Sequence, residues 1–275
     1  MSFKRRLEQA LCNPKMVERI RCKDISPSGL SQPKSGFSNH PSFLLYGKGF
    51  SQKSVSVPAK PSPVDGFIPL THISTGYYWI GDTKLREHPR RSVHIRGFEA
   101  SSLISGALWE RVTGWDKSSL DDPLTNVGWL DAVLFCNAYS RMQFLDPAYK
   151  LPAAIPFHLP HALQLEVLPQ IKVDLSRTGF RLPSELEWEC LMKEKLSKSM
   201  VAKDGNSIQY QEWCSDEYGT MVPDQDENPT YTSIWRSVRG GTSSMKQQKR
   251  LLERSQMLGY QSSDTIAFRI VRTRL

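Results

Sequence analysis

The 275-residue sequence contains no run approaching the ~18 consecutive apolar residues that cross a bilayer, so no membrane span is expected. The opening MSFKRRLEQALCNPK has basic residues with no apolar stretch behind them, and no Sec signal peptide is expected. Cysteine is scarce: Cys12, Cys22, Cys136, Cys190 and Cys214 form an odd set without CxxC spacing. That argues against a disulfide framework or a zinc site and for reduced thiols in a cytoplasmic setting. Cys136, Cys190 and Cys214 lie beside aliphatic or aromatic residues and read as small core hydrophobes. There is no internal repeat. Histidine is sparse too, and in FHLPH Pro160 argues against a helix that would bring His158 and His161 to one metal.

Hydrophobic residues make up 39% of the chain and there are seven tryptophans, which fits a loop-rich domain pinned by large side chains. The net charge of +8 is unevenly spread. Residues 1–63 hold eleven Lys/Arg and three acids, Glu8, Glu18 and Asp24, and the rest of the chain is balanced. That segment, with ISPSGLSQPKSGFSNHPS and SQKSVSVPAKPSPV, is Ser/Pro-rich and cannot bury enough apolar surface to offset chain entropy. It is expected to be a disordered basic arm, with Phe3, Leu7 and Leu11 spaced for one short helix at Phe3–Cys12. Three roles stay open for it: a solubilising tail, a contact for nucleic acid, acidic lipid or an acidic protein, or a non-Sec export signal.

From Val64 the texture changes. FIPLTHISTGYYWIGD alternates apolar and polar residues and stops at Gly81-Asp82, predicting a strand or hairpin; SVHIRGFEA predicts a second strand over Ser92–Glu99. SGALWERVTGW has helical spacing ended near Gly114. TNVGWLDAVLFCNAYSRM is the strongest helix, with Trp129, Ala132, Val133, Cys136 and Ala138–Tyr139 on one apolar face. RLPSELEWECLMKEKLSK opens another: Ser184 fits the N-cap and Glu187 completes a capping box. Beyond Met200, short strands and turns are expected.

The stretch RSVRGGTSSMKQQKRLLERSQ, 236–256, concentrates basic residues: Arg236, Arg239, Lys246, Lys249, Arg250 and Arg254 stand against the single acid Glu253. It has no Cys, His or Asp for covalent or metal chemistry. With Gln247 and Gln248, its cations and amides suit a carboxylate, a phosphate or an acidic protein surface. The bland alternative is a solvated charged loop.

Six ordered stretches carry a further pattern: ISTGYYWIGD at 73–82, LTNVGWLDAVLFCNAYS at 124–140, DPAYKL with GFRLPSELEWE at 146–151 and 179–189, YQEWCSDEYG at 210–219, VRGGT at 238–242 and IAFRIV at 266–271. In this order they resemble the IPGGxFxMG, VTNxxW, YRLPTEAEWE, VWEWCSDWYG, RGGSW and GFRxV segments of the formylglycine-generating enzyme (sulfatase-modifying factor) family, a variant of the C-type lectin fold. The resemblance implies an α+β, loop-rich domain over 64–275 with few helices and short antiparallel strands. Its signature residues here are Arg181, Glu187, Trp188, Trp213, Gly240, Gly241, Phe268 and Arg269. Arg181 needs acidic partners, for which Glu187 and Glu189 are candidates. Trp188 and Trp213 are expected core anchors, each with an indole N–H to satisfy. RLPSELEWE therefore reads as a folding signature rather than a catalytic one, its carboxylates favouring the positive end of the helix dipole.

The resemblance also says where an enzyme should be. Oxidase relatives place two cysteines shortly after the RGGS turn, a soft thiolate pair suited to Cu(I). Here the stretch after Gly241 is TSSMKQQKRLLERSQ, without cysteine, and Met245 is a lone thioether. Relatives with an iron site draw histidines from an additional helical domain; this sequence has only six, His40, His72, His88, His94, His158 and His161. The family's structural calcium segment is also altered, with Gln209 for the usual Asn and only Asp204 and Asp216 as candidate ligands. No cofactor and no catalytic residue are expected. In diversified variable proteins with this scaffold, the segment between RGG and the final GFR displays a binding surface, which corresponds to residues 242–265.

Three readings follow. The first is a non-catalytic, lectin-like binding or accessory protein with a ligand surface around 236–256 and a protein partner or acidic ligand. The second is a divergent sulfatase-modifying oxidoreductase using other ligands. The third is a nucleic-acid or acidic-partner binder acting through residues 1–63. A cytoplasmic location is expected, with non-Sec export or incorporation into a larger assembly as alternatives.

Overall fold

The computed structural model describes residues 68–83, 85, 88–115, 123–199, 210–219, 231–241 and 245–274. The expected arm 1–63 lies outside them. The elements run β1 (Leu70–Ile73), β2 (Gly76–Ile80), β3 (Arg91–Ile95), β4 (Phe98–Leu103), α1 (Gly106–Thr113), α2 (Trp129–Met142), β5 (Tyr149–Lys150), α3 (His161–Val167), β6 (Lys172–Val173), α4 (Glu185–Ser199), β7 (Gln211–Glu217), β8 (Trp235–Arg239), α5 (Gln247–Leu252), β9 (Arg254–Leu258), β10 (Ile266–Ala267) and β11 (Arg269–Thr273). Short strands in small sheets around a few helices make this an α+β, C-type-lectin-like architecture.

FIPLTHISTGYYWIGD does not fold back on itself as one hairpin. β1 pairs with β4, antiparallel from Leu70↔Ser101 to Ile73↔Phe98, whereas β2 pairs with β3, from Gly76↔Ile95 to Ile80↔Arg91. The expected single strand Ser92–Glu99 is likewise split at Gly97, so its two halves serve different sheets. β4 is central in the sheet β1-β4-β11, which joins the two ends of the described chain. The other main sheet has the order β10-β7-β8-β9, with β8 paired on both sides.

α1 begins at the N-cap Ser105, whose hydroxyl accepts from Leu108 N, and ends at Gly114, where φ is 74°. α2 departs from the expected single apolar face. Trp129 through Asn137, Tyr139 and Ser140 are all buried, since the helix runs through the main core rather than along its surface. The two polar residues of its inner turns are satisfied. Asn137 Nδ2 donates to Tyr149 O at 2.8 Å while its Oδ1 accepts from Tyr149 N, and Ser140 Oγ accepts from Phe180 N at 2.7 Å. That core collects Trp109, Trp129, Phe135, Trp213 and Phe268. A second one, with Ile80, Val93, Phe98, Trp188 and Leu191, lies between the β2–β3 ribbon and α4.

The capping box of α4 forms reciprocally. Glu187 N donates to Ser184 Oγ at 3.1 Å, and Ser184 N donates to Glu187 Oε2 at 2.8 Å. The same Glu187 grips Arg181 with two hydrogen bonds of 2.6 Å, and Arg181 reaches Thr273 Oγ1 at 3.2 Å. Bidentate pairing offsets the cost of burying the guanidinium. The backbone of Arg181 bridges Val271 of β11 in both directions, which seats the start of α4 against the first sheet. Arg269 is held in the same way by Glu212, with Arg269 Nη2 2.7 Å from Glu212 Oε1.

Candidate functional site

β8 leads from the core to the loop that the sequence marks out. Its buried run Arg236–Arg239 ends at Gly240 and Gly241, whose φ values of 104° and 55° belong to the left-handed region. A Cβ on Gly241 would stand 2.9 Å from Met245 Sδ and 3.2 Å from Glu253 Cβ, so both conformation and space demand glycine here. After the turn, α5 returns the chain to β9. Arg250 Nε donates to Gly240 O at 2.8 Å and ties the two ends of the loop together.

Four of the arginines expected to face a ligand turn into the protein. Arg236 is 0% exposed, stacked 4.3 Å over Trp129 and 4.5 Å over Tyr231, with Nη2 donating to Leu168 O at 3.1 Å. Arg239, also 0% exposed, pairs with Glu185 at 3.3 Å and Glu189 at 2.8 Å, and its guanidinium lies 5.2 Å over the Trp188 ring. Arg250 is buried at the base of the loop. Arg254 is partly buried, bidentate to Glu185 at 2.6 and 2.8 Å, with a third bond to Gly219 O. β8 is an inner strand covered by α4, so its charges are inward and compensated. Of the remaining residues of the strip, Lys246 and Lys249 are exposed, and the side chains of Gln247 and Gln248 lie outside the described residues.

The carboxylates that receive Arg239 and Arg254, Glu185 and Glu189, come from successive turns of α4. Burial alone would push the Glu189 carboxyl up, but the hydrogen bond from His88 and the Arg239 charge hold it well below the usual carboxylate range. His88 Nε2 and Glu189 Oε2 are 2.5 Å apart, both buried, and Lys193 Nζ reaches Glu189 Oε1 at 2.8 Å. Glu185 is likewise lowered against the effect of burial, by its bond to Arg254 and the charge of Arg239, and Ser237 Oγ donates to it at 2.7 Å. Asp216 moves the other way. Burial and the nearby Glu185 charge raise it to about 7, although it accepts from Glu185 N at 2.8 Å.

These arginines and carboxylates form a charge-compensated network. Of the described cysteines, Cys136 is buried in the main core and Cys190 and Cys214 in the second, and burial pushes all three thiols up, Cys190 to about 12. A protonated thiol is neither nucleophile nor metal ligand. Among the described residues no group of three or more His, Cys, Asp and Glu side chains is placed to hold a metal, and the candidate calcium ligand Asp204 lies outside them. Asp216 spends its Oδ2 on the α4 backbone, leaving little of a hard oxygen cage for calcium. His158 and His161 go to different neighbours. His158 Nδ1 lies 3.3 Å from Asp131 Oδ2, and the His161 ring lies 5.2 Å from Tyr260.

The signature residues divide similarly. Trp213 and Phe268 are fully buried, Trp213 Nε1 donating to Val127 O at 2.8 Å. Trp188 is fully buried too, but its Nε1 has no hydrogen-bond partner among the described residues, where the sequence suggested one.

The fold and the compensated β8–α4 core define a formylglycine-generating-enzyme-like domain. Two solved structures resemble it over most of its length. The Treponema denticola variable protein 1 is 18% identical with a TM-score of 0.60, covering 78% of this chain and 98% of its own. CarF is 16% identical with a TM-score of 0.54, covering 76% of this chain and 99% of its own. No curated protein matches. The model of the sulfatase-modifying factor enzyme 1-like domain matches residues 44–194, and the chain belongs to that family. No helix among the described residues is long and apolar enough to cross a membrane.

Proposed function

We propose that the chain is a non-catalytic binding or accessory protein, a pseudoenzyme in a reducing, cytoplasmic setting, which uses the scaffold to present the loop after β8. The observation that carries this reading is the loss of thiolate chemistry at the place where the family keeps it. Thr242, Ser243 and Ser244 follow the glycine turn, and the three described cysteines are buried, which pushes their thiols up. The surface offered is narrower than the basic strip of the sequence. Lys246 and Lys249 are its exposed cations, with Gln247 and Gln248 between them and Trp235, 39% exposed, at the start of β8. An acidic protein partner suits such a surface.

The test is a pull-down with full-length protein, wild type against Lys246→Glu/Lys249→Glu. Loss of an acidic partner in the charge-reversed protein, with unchanged thermal stability, is the expected result. Retention of every partner would refute this surface.

Family membership favours a second reading, a divergent oxidoreductase with other ligands. Stoichiometric copper or iron after reconstitution, with oxygen consumed in the presence of a thiol peptide, would establish it over the first. The polarised charge favours a third, in which residues 1–63 bind nucleic acid or an acidic partner. Such binding must weaken steeply with salt.

A further inference from the structure

Two exposed aromatic side chains lie far along the chain from the β8 loop, on the β2–β3 ribbon. In β2 the side chains alternate, so that Ile80 is buried while Tyr77 and Trp79 are 78% and 58% exposed. Their cross-strand partners in β3 are His94 and Ser92, also exposed, and the Tyr77 and His94 rings stand 5.2 Å apart. Arg90 and Arg96 flank β3 at positions of the same parity as Ser92 and His94, both exposed, and the Arg90 guanidinium lies 4.8 Å from the Trp79 ring centroid. The outward face is thus two large rings bordered by cations.

The sequence around it is basic. Residues 82–96 contain Lys84, Arg86, Arg90, Arg91 and Arg96 against Asp82 and Glu87, within residues 64–275, whose net charge is zero. The ribbon is also braced from below. Lys193 Nζ donates to Trp79 O at 2.8 Å, Gly81 N donates to Glu189 Oε1 at 2.7 Å, and Ile80, Val93 and Ile95 pack into the core shared with α4. Exposed aromatics on a braced ribbon are held ready, with little ordering left for a ligand to impose.

We propose that this face is a docking platform for a single-stranded nucleic acid, with bases stacking on Tyr77 and Trp79 and phosphates meeting Arg90. Residues two apart on one face of a strand are separated by about 6.8 Å, twice the 3.4 Å step between stacked bases, so the two rings suit bases spread along an extended strand. Charge complementarity selects this occupant. A neutral glycan would use the rings but not the positive charge, and an acidic peptide would use the charge without offering flat rings. A single strand supplies an anionic backbone and π-faces together, and stacking platforms of this kind tolerate any sequence. In sequence the site is distinct from the β8 loop and from the basic residues 1–63.

The test is fluorescence anisotropy with full-length protein and a labelled 12-nucleotide oligothymidylate, beside an abasic strand of the same length. Any phosphate binding by residues 1–63 is common to both, so the difference between the two isolates stacking. Wild type should bind the thymidylate strand at least about tenfold more tightly than the abasic one. Tyr77→Ala/Trp79→Ala should abolish that difference and leave abasic binding unchanged. Arg90→Gln should weaken both strands and reduce the salt slope by about one. Because both rings are largely exposed, circular dichroism of the double variant should match wild type. Equal binding of the two strands by wild type, no measurable binding, or an unchanged preference in the double variant would each overturn the proposal. Ring-dependent binding of an acidic oligosaccharide or polyglutamate with no preference for bases would overturn it in favour of that ligand.

Discussion

Trp129 and Trp213 are cross-fastened: Trp129 Nε1 donates to the carbonyl of Cys214, and Trp213 Nε1 donates to the carbonyl of Val127, both at 2.8 Å. Each indole therefore holds the backbone beside the other, across 84 residues of chain, and joins the start of α2 to β7. Replacing either tryptophan by Phe keeps most of the apolar ring but strands a buried carbonyl. Each single variant should lose about 1–3 kcal/mol of unfolding free energy in urea titrations. Because the two bonds brace the same junction, the double variant should lose less than the sum. Additive losses would show that the bonds act independently.

Arg239 has two buried carboxylates and Arg254 shares one of them. Arg239→Met should destabilise by about 3–5 kcal/mol, since Glu189 would lose its arginine in a site without solvent. Arg254→Met should cost clearly less, because Glu185 keeps Arg239 and Ser237 and the Arg254 side chain is partly solvated. Midpoints of chemical denaturation rank the two, and a reversed order would contradict the assignment of Arg239 as the centre of the network.

How much of this network was legible follows from chain distance. The capping box of Ser184 and Glu187 and the pairing of Arg181 with Glu187 are local, so residue spacing announces them. The partners of Arg239 lie 50 and 54 residues upstream, and no local pattern distinguishes a buried, paired arginine from a solvated one. A basic strip in sequence therefore became two exposed lysines and four engaged arginines. Glu189 illustrates the same point: sequence offers it to Arg181, but the fold gives it to Arg239 and His88. The split of the segments around Gly97 and between Ile73 and Gly76 was hidden because alternation marks a strand without naming its partner. The exposed pair Tyr77 and Trp79 was visible as alternation, yet only the register shows that it faces solvent.

Asp216 gives a pH signature of unusual sign. Its folded-state value near 7 lies above the ordinary 3.8, so the folded protein holds a proton that the unfolded chain releases earlier. Stability from this group is fully present below about pH 3.8 and is lost as pH rises through 7. Asp216→Asn keeps an acceptor for Glu185 N and removes the titration. Relative to wild type it should be unchanged near pH 3.5 and more stable at pH 8, by roughly 1–3 kcal/mol. Parallel stability curves from pH 4 to 8 would count against the shift.

Phe144 sits in the left-handed region, with φ of 58°, and is 68% exposed. It closes α2 as Phe144 N bonds to Arg141 O and Leu145 N bonds to Ser140 O, a position that glycine usually fills. Phe144→Gly should therefore raise stability by about 1 kcal/mol, seen as a higher melting temperature. A loss would mean that the ring makes contacts that offset its backbone strain.

The bond from Arg250 to the Gly240 carbonyl turns residues 241–249 into a handle whose two feet stay together whatever hangs between them. Closing a longer loop across such a clamp costs only about 0.6 kcal/mol for each doubling of its length. The handle is thus a natural graft point, where foreign peptide sequences can be displayed while the frame beneath stays fixed.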